Sequence, residues 1–446
     1  MAREPRTPNT QLSRLLDQAR WTRTQFARAV NRVGAEAGLE LRYDQSAVSH
    51  WLAGTRPRPQ VRPILREALA RRLNRPVTAW DIGLADEPAE DDDRIALAEQ
   101  LIDIGRDDMD PSRRKVIQAG LYSATLSAPA FADLAGRAEA TAAGRTTRIG
   151  EGEVQTVRTM TERIADILDE LGGGHARPMA AAFLVNTVAP YLRASATPSV
   201  RSGMLSAAAD LVYLTGWMAM YERDHGVGQR YYVKALELAA EAEDHVTYCR
   251  TLRGMSLQAT SLGHGRQALE LADSAAEASP GGGPRLGAFL AGQQAYAASM
   301  TGDRRQAFAR LGEAETALGR ADARREAIGG YDQCAYLFHV ASVLYQTGDL
   351  PGSITTMRQS IRVQPPQERQ GRVHAYAVLA RRQFEHGHLE AACDSWHRFL
   401  DDYQLVSTAR GDGHFEAMRR RTRPHRDTRA VRELLERAHG VAATKA

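Results

Sequence analysis

The chain has 446 residues, too many for one ordinary domain and enough for two or three. Hydrophobic residues make up 43% and charged residues 25%, which excludes a disordered chain, and no apolar run reaches membrane-spanning length or forms a secretory signal core. The net charge is only +4, yet residues 1–84 hold 15 arginines against 7 acids, while residues 86–110 hold 11 acids against Arg94 and Arg106. A basic head followed by an acidic connector fits a module that faces a polyanion and a linker that does not.

Lys115, Lys234 and Lys445 are the only lysines against 55 arginines, so an individual arginine carries little chemical meaning by its type alone. Cys249, Cys334 and Cys393 are far apart and no CxxC is present. They are expected to pack as small hydrophobes in a reducing cytoplasm, with neither a zinc site nor a disulfide frame.

Residues 1–9 read as a disordered arm. Leu12, Leu15, Leu16 and Ala19 then predict a first helix. Thr22 is placed to cap a second, with Phe26, Ala27 and Val30 inward and Arg23 in its first turn. In the stretch YDQSAVSHWLAGTRPRP, from Tyr43 to Pro59, Asp44 caps a third helix whose apolar face is Val48, Trp51 and Leu52, and Gly54 ends it. The opposite face carries Gln45, Ser46, Ser49 and His50, free of acids and able to donate and accept hydrogen bonds in a major groove, and Arg56 and Arg58 follow within reach of phosphates. A fourth helix, from Val61 to Leu73, turns Ile64, Leu65, Ala68 and Leu69 inward.

This arrangement over residues 10–84, with its SxVSxWLxGxRP string, resembles the lambda-repressor-like helix-turn-helix family. The resemblance implies that Gln45 reads a base at the start of the recognition helix. It further implies that Ser46, Ser49 and His50 face the groove and that Arg23 contacts a phosphate. One departure is visible: Ala27 and Val48 lie 21 positions apart, about twice the family's tight turn. Residues 33–41 therefore either lengthen the second helix or form a flap.

Residues 85–150 read as an acidic linker and connector helices, one of them over 95–104. The Ser112–Val116 segment, with Arg113 and Arg114, looks superficially like an export signal, but its apolar part is short and broken, and a connector helix is preferred.

From Gly150 the pattern is helical and repeats. Gly226, Gly263, Gly302, Gly348 and Gly387 sit in turns. Seven residues before them stand Ala219, Ser256, Ala295, Ala341 and Ala380; five after them stand Tyr231, Ala268, Ala307, Ser353 and Ala392; Pro280 and Pro365 close two units. Flanking helices are expected at 153–171, 178–193, 410–420 and 427–439. This grammar resembles the tetratricopeptide repeat, with glycines 37, 39, 46 and 39 apart where the family's usual period is 34. The predicted fold is thus all-α: an N-terminal helix-turn-helix bundle, a helical linker, and a repeat solenoid over 151–446.

Such a solenoid presents a concave groove, for which Asn186, Tyr213, Arg253, Gln258, Gln294, Gln333, His339 and Tyr376 are candidate lining residues. No P-loop, zincin or nucleophile-elbow motif is present, and His386 and His388 lack further metal ligands at suitable spacing, so neither an enzyme nor a cofactor is expected. The basic run Arg419–Arg426 reads as a solvated loop between the last two helices, the alternative being an element that adds phosphate contacts or holds an acidic partner.

A lambda-like head on a tetratricopeptide body resembles the helix-turn-helix/tetratricopeptide regulators of actinomycetes, and in layout the peptide-pheromone receptors of Gram-positive bacteria. That resemblance implies a homodimer on a two-fold double-stranded DNA operator, cytoplasmic and nucleoid-associated, with a peptide or small-molecule effector, in control of development or secondary metabolism. A reading from a different class is an interaction protein whose repeats hold a protein partner.

Overall fold

In a computed structural model the described residues are 8–36, 39–75, 77–78, 81–84, 95–109, 148–279, 281–321 and 331–445. Among them the structure is helical, with one isolated bridge, Arg148–Ser195, outside the helices. No helix among these residues is long and apolar enough to cross a membrane.

The first core is built by α1 (Thr10–Gln18), α2 (Arg23–Glu36), α3 (Gln45–Leu52) and α4 (Arg62–Leu73). Phe26, Val48, Ile64, Leu65 and Leu69 are fully buried in it, and Ile82 closes it from the C-terminal side. Asn9, expected in a disordered arm, belongs to the fold instead. It caps α1 by accepting from Leu12 N at 2.9 Å and donates to Ile82 O at 2.8 Å.

The 33–41 insertion lengthens α2. Leu41 then packs directly on Gly34, where an added Cβ would lie 2.4 Å from its Cδ1. The returning chain is pinned by Asn31, whose amide donates to Tyr43 O at 2.8 Å and whose carbonyl accepts from Tyr43 N at 2.9 Å.

The 95–104 helix, expected as a connector, is α5 (Ile95–Met109) and is part of the second core, to which it contributes Leu101 and Ile104. Arg177 on α7 (Gly173–Phe183) holds it there. Its guanidinium donates to Asp108 at both carboxylate oxygens and to Asp224 at 2.7 Å, and Tyr231 Oη donates to Asp108 at 3.2 Å. Breaking such a buried pair costs about 3–5 kcal/mol, because the remaining charge has no water. The Ser112–Val116 segment lies outside the described residues.

After α6 (Glu151–Leu171), α7 runs through a π-turn at Leu184–Val188 into α8 (Ala189–Arg193). Five helix pairs follow, each closely packed: α9 (Pro198–Tyr221) with α10 (His225–Glu241), α11 (His245–Ser261) with α12 (Gly265–Glu277), α13 (Gly283–Met300) with α14 (Arg304–Arg320), α15 (Gln333–Gln346) with α16 (Leu350–Val363), and α17 (Arg369–Glu385) with α18 (Leu389–Tyr403). Two more helices, α19 (Ala409–Thr422) and α20 (Arg429–Lys445), finish the chain.

One turn chemistry joins the partners of every pair. A residue with positive φ (Arg223, Gly263, Gly302, Gly348 or Gly387) is followed by Asp or His, and that residue's N–H bonds the carbonyl five positions back at 2.9–3.2 Å. The repeat register expected for the first unit was therefore three residues late. Its turn residue is Arg223, and Gly226 lies inside α10. The small residues seven before and five after the turn become Gly216 and Gly228, replacing Ala219 and Tyr231, so the pattern holds in all five units.

Those small residues are where the paired helices touch. Ser256 Oγ donates to Ala268 O at 2.7 Å and Ser353 Oγ to Ala341 O at 2.8 Å, and a Cβ on Gly228 would lie 3.0 Å from Gly216 O. The array also closes on itself. Ser407 N donates to Leu171 O at 2.8 Å, Gly174 N to Ser407 O at 2.9 Å, Gly173 N to Gln370 Oε1 at 2.8 Å and Ala409 N to Glu222 Oε2 at 2.9 Å, which joins the start of the body to its last units.

Gly228→Leu is expected to destabilise the fold by at least about 1–3 kcal/mol through overpacking. Gly287→Ala, on an open face of α13 with nothing within 4 Å of the new Cβ, is expected to stabilise it by about 0.5–1 kcal/mol. Urea unfolding of the two variants beside the parent checks both signs.

Candidate functional site

Two surfaces gather the candidate residues. The first lies on the head. Thr22 and Gln25 form a reciprocal cap at the start of α2, with Thr22 N donating to Gln25 Oε1 at 2.8 Å and Gln25 N to Thr22 Oγ1 at 3.2 Å. Asp44 caps α3 by accepting from Ala47 N at 3.0 Å. Trp51 anchors α3 from below, edge-on to Tyr43 at 5.0 Å and to Phe26 at 6.4 Å between ring centroids.

With α3 fixed in this way, its outer face meets the N-terminus of α2. Arg23 Nη1 donates to Ser49 Oγ at 3.1 Å, Thr24 Oγ1 to Gln45 Oε1 at 3.3 Å, and Ser49 Oγ to Gln45 O at 2.8 Å. Gln45, Ser46, His50, Arg23, Arg56 and Arg58 are exposed and Ser49 is partly so. Thr24, which the sequence did not single out, orients the Gln45 amide. The surface therefore offers hydroxyl, amide and imidazole groups beside three arginines, which suits hydrogen bonding to a polar anionic partner.

The second surface is a half-open cavity of about 580 Å³ on the inner side of the array, a volume that fits a small ligand. The first helix of every pair lines it, through Trp217 on α9, Arg253 on α11, Tyr296 on α13, His339 on α15 and Arg382 on α17, and Arg410 on α19 completes the wall. Of the eight groove residues expected from sequence, only Arg253 and His339 line it.

The other six lie elsewhere, four of them engaged in packing between helices and two exposed. Tyr213 is buried beneath Trp217 with the Arg250 guanidinium 5.3 Å from its ring. Gln258 donates to His225 O at 2.8 Å and Gln294 to Asp273 Oδ1 at 2.7 Å, so both amides link neighbouring helices. Tyr376 packs against the core of the last four helices. Asn186 and Gln333 are exposed, on the π-turn and at the first residue of α15. The basic run from Arg419 ends α19 and continues into a short 3-10 turn, where Arg421 pairs with Glu385 at 3.2 Å and Arg419 with Glu416 at 3.3 Å.

Burial shapes the electrostatics of the cavity. Arg253 is 6% exposed, with its guanidinium 4.1 Å from the Phe289 ring centre and 5.6 Å from that of Trp217. Its Nε, and the Nε and Nη1 of Arg382, meet no hydrogen-bond partner among the described residues. Burial lowers the affinity of both groups for their proton, that of Arg382 to about 10, with the neighbouring Arg381 adding to the effect.

The histidines of the cavity are held neutral for the same reason. Burial, with Arg253 nearby, brings His339 down to about 3, and its Nδ1 lies 2.9 Å from Tyr331 Oη, the geometry of a hydroxyl donating to a neutral imidazole. Gly292 makes room for that contact, since a Cβ there would sit 2.4 Å from His339 Nδ1. His374 Nδ1 and His414 Nε2 are 3.0 Å apart, and burial together with Arg410 keeps both well below the usual imidazole range.

A neutral buried imidazole links stability to pH. Above about pH 6.5 His339 is neutral in both the folded and unfolded states. Below that, the unfolded chain takes up a proton that the folded one refuses, so stability falls with pH until about pH 3. His339→Gln is expected to reduce the loss of unfolding free energy between pH 7 and pH 5 by about 2 kcal/mol. Urea titrations of parent and variant at both pH values measure it, and an equal loss in the two proteins would refute the assignment.

Among known proteins, the family model of the SP15 N-terminal domain matches residues 12–85. No curated protein matches the chain. The matched stretch coincides with the first core, which runs from Leu12 to Leu84, and the helical body beyond it lies outside the match.

Proposed function

We propose that this chain is a sequence-specific DNA-binding transcriptional regulator that works as a homodimer, with a lambda-repressor-like helix-turn-helix head and a tetratricopeptide-like body that binds an effector. The observation that carries the reading is the joined polar surface of α2 and α3. Arg23 and Thr24 at the N-terminus of α2 bond Ser49 and Gln45 on the outer face of α3, while Val48 and Trp51 hold that helix on the core. In this reading α3 enters the major groove, Gln45 makes a paired hydrogen bond with a base edge, and Arg23, Arg56 and Arg58 hold phosphates.

The body supports the second half of the reading. Five helix pairs crossing at small residues, with the cavity lined by the first helix of each, are the arrangement expected of tetratricopeptide-like units around a ligand. An effector acts by binding the DNA-competent and incompetent arrangements unequally, for only a difference in affinity moves the equilibrium. A homodimer would place two α3 helices on half-sites about 34–36 Å apart, or a multiple of that.

Genome-wide capture of DNA fragments on the purified protein, followed by gel-shift assays on the recovered site, tests the reading. Gln45→Ala is expected to cost about 1–3 kcal/mol at one base position. Arg56→Ala is expected to weaken binding to all sequences and to lower the salt slope by about one. Recovery of no preferred sequence, together with capture of a protein partner, would favour the interaction-protein reading.

A further inference from the structure

The cavity holds a charge pattern that its role as an internal space does not require. Arg253, Arg381, Arg382 and Arg410 all reach its wall, against the carboxylates of Asp332 and Glu368. Asp332 is engaged as the cap of α15, accepting from Ala335 N at 3.0 Å. Glu368 accepts from Gln364 Nε2 at 3.4 Å beside the start of α17. Glu385 pairs with Arg381 Nε at 3.9 Å and with Arg421 at 3.2 Å and accepts from Tyr345 at 2.8 Å, so its carboxylate is shared among three donors.

Arg382 is the most informative of these groups. It is 3% exposed, its guanidinium lies 4.8 Å from the centre of the Tyr345 ring, and its Nε and Nη1 have no hydrogen-bond partner among the described residues. Burying a cation with donors unspent is costly. Residues kept only for packing do not need such a cation, and Met or Leu would fill the same volume. Arg410 lines the same space, together with His374 and Tyr296, and its guanidinium lies 4.6 Å from the centre of the Tyr221 ring. Trp217, Tyr221, Tyr296 and Phe338 supply aromatic walls to the same space.

We propose that the cavity binds a small organic anion, with its carboxylate or phosphoryl group seated against Arg382 and Arg410 and its apolar body lying among Trp217, Tyr221, Tyr296 and Phe338. Arginine suits this task because its planar fork of N–H groups pairs with two oxygens of a carboxylate or phosphate at once. The neutral histidines beside it add no competing charge and can donate or accept a further hydrogen bond. A volume of about 580 Å³ suits a compact molecule. This inference rests on the reading of the body as an effector-binding module and assigns the effector its chemical class.

The test uses the full chain and the fluorescent probe 8-anilinonaphthalene-1-sulfonate, with N-phenyl-1-naphthylamine as the same aromatic body lacking the anion. The sulfonate dye is expected to bind one per chain, at least ten-fold more tightly than the neutral dye. It should be displaced by phenylacetate or by phenyl phosphate, whichever acid group fits, and not by benzyl alcohol. Arg382→Met and Arg410→Gln should each weaken the sulfonate dye ten-fold or more and leave the neutral dye within two-fold. Arg382→Met should also leave the melting temperature unchanged or raised, since it removes an uncompensated buried charge; a structural role for Arg382 predicts a fall. Equal affinity for the two dyes, displacement by benzyl alcohol as readily as by the acids, or unaltered sulfonate binding in both variants would overturn the proposal. Sulfonate binding that depends on Arg382 yet leaves operator affinity unchanged would uphold the anion site and count against the regulator's effector reading, so the two failures are distinguishable.

Discussion

The close approach of paired helices is the constraint on which the body depends. Helices facing through Ser256 and Ala268, or Ala341 and Ser353, come near enough for a hydroxyl on one to reach a backbone carbonyl of the other, and at Gly216 and Gly228 an added Cβ would lie 3.0–3.1 Å from the facing carbonyl. Larger side chains at those positions would hold the helices apart. Such contacts gain little from hydrophobic area, because the residues are small. Their value lies in letting the long apolar side chains on either side, such as Tyr231, Tyr232 and Leu236, interdigitate without voids. The turn that follows each crossing, a left-handed residue and then Asp or His, satisfies the helix-end amides and carbonyls without an extended loop.

The same packing leaves the inner side of the array with an unusual population. Its first helices carry arginine, histidine and tyrosine where the second helices carry mainly apolar and solvated residues. Desolvation is what gives these groups their character. It holds His339 and His414 neutral down to about pH 3, weakens the proton affinity of Arg382, and raises the Tyr331 hydroxyl far above the range in which it would ionise. The interior thus combines uncharged hydrogen-bonding rings with buried guanidiniums, of which Arg253 Nε and Arg382 Nε and Nη1 meet no hydrogen-bond partner among the described residues. On the head, by contrast, the candidate residues face water, and their arrangement is set by neighbouring side chains.

Much of the architecture was legible because local chemistry and long-range packing agree. The four helices of the head follow from Leu12 to Ala19, Phe26 to Val30, Val48 to Leu52 and Ile64 to Leu69, whose spacing matches the buried faces, and the caps at Thr22 and Asp44 are where such residues belong. Aligning the units on glycine misplaced the first one, because Arg223 takes the left-handed turn position there and Gly226 is an ordinary helical residue. A non-glycine in that conformation costs only about 1–2 kcal/mol, and packing overrides it.

The groove residues were harder to read. An outward amide on a repeat helix has the same sequence signature whether it faces a ligand or a neighbouring helix, and Gln258 and Gln294 proved to do the latter. Arg382 and Arg410 were hidden by abundance, since in a chain with 55 arginines no single one stands out until its burial is known. In the sequence helix α5 reads as a connector because the acids around it resemble a solvated linker. What ties it to the body is Arg177, 69 residues further on, a separation that no local pattern reports.

The seam where Leu171, Gly173 and Gly174 meet Gln370 and Ser407 alters how the body resists unfolding. In an open solenoid each unit leans only on its neighbours, so the outermost units fray first and stability is close to a sum over adjacent contacts. Backbone hydrogen bonds from Ser407 to Leu171 and Gly174 tie the first helices of the body to the chain just after α18, and only α19 and α20 follow that tie. A body joined in this way melts more nearly as one unit, and removing either side of the seam also strips the other of its hydrogen bonds.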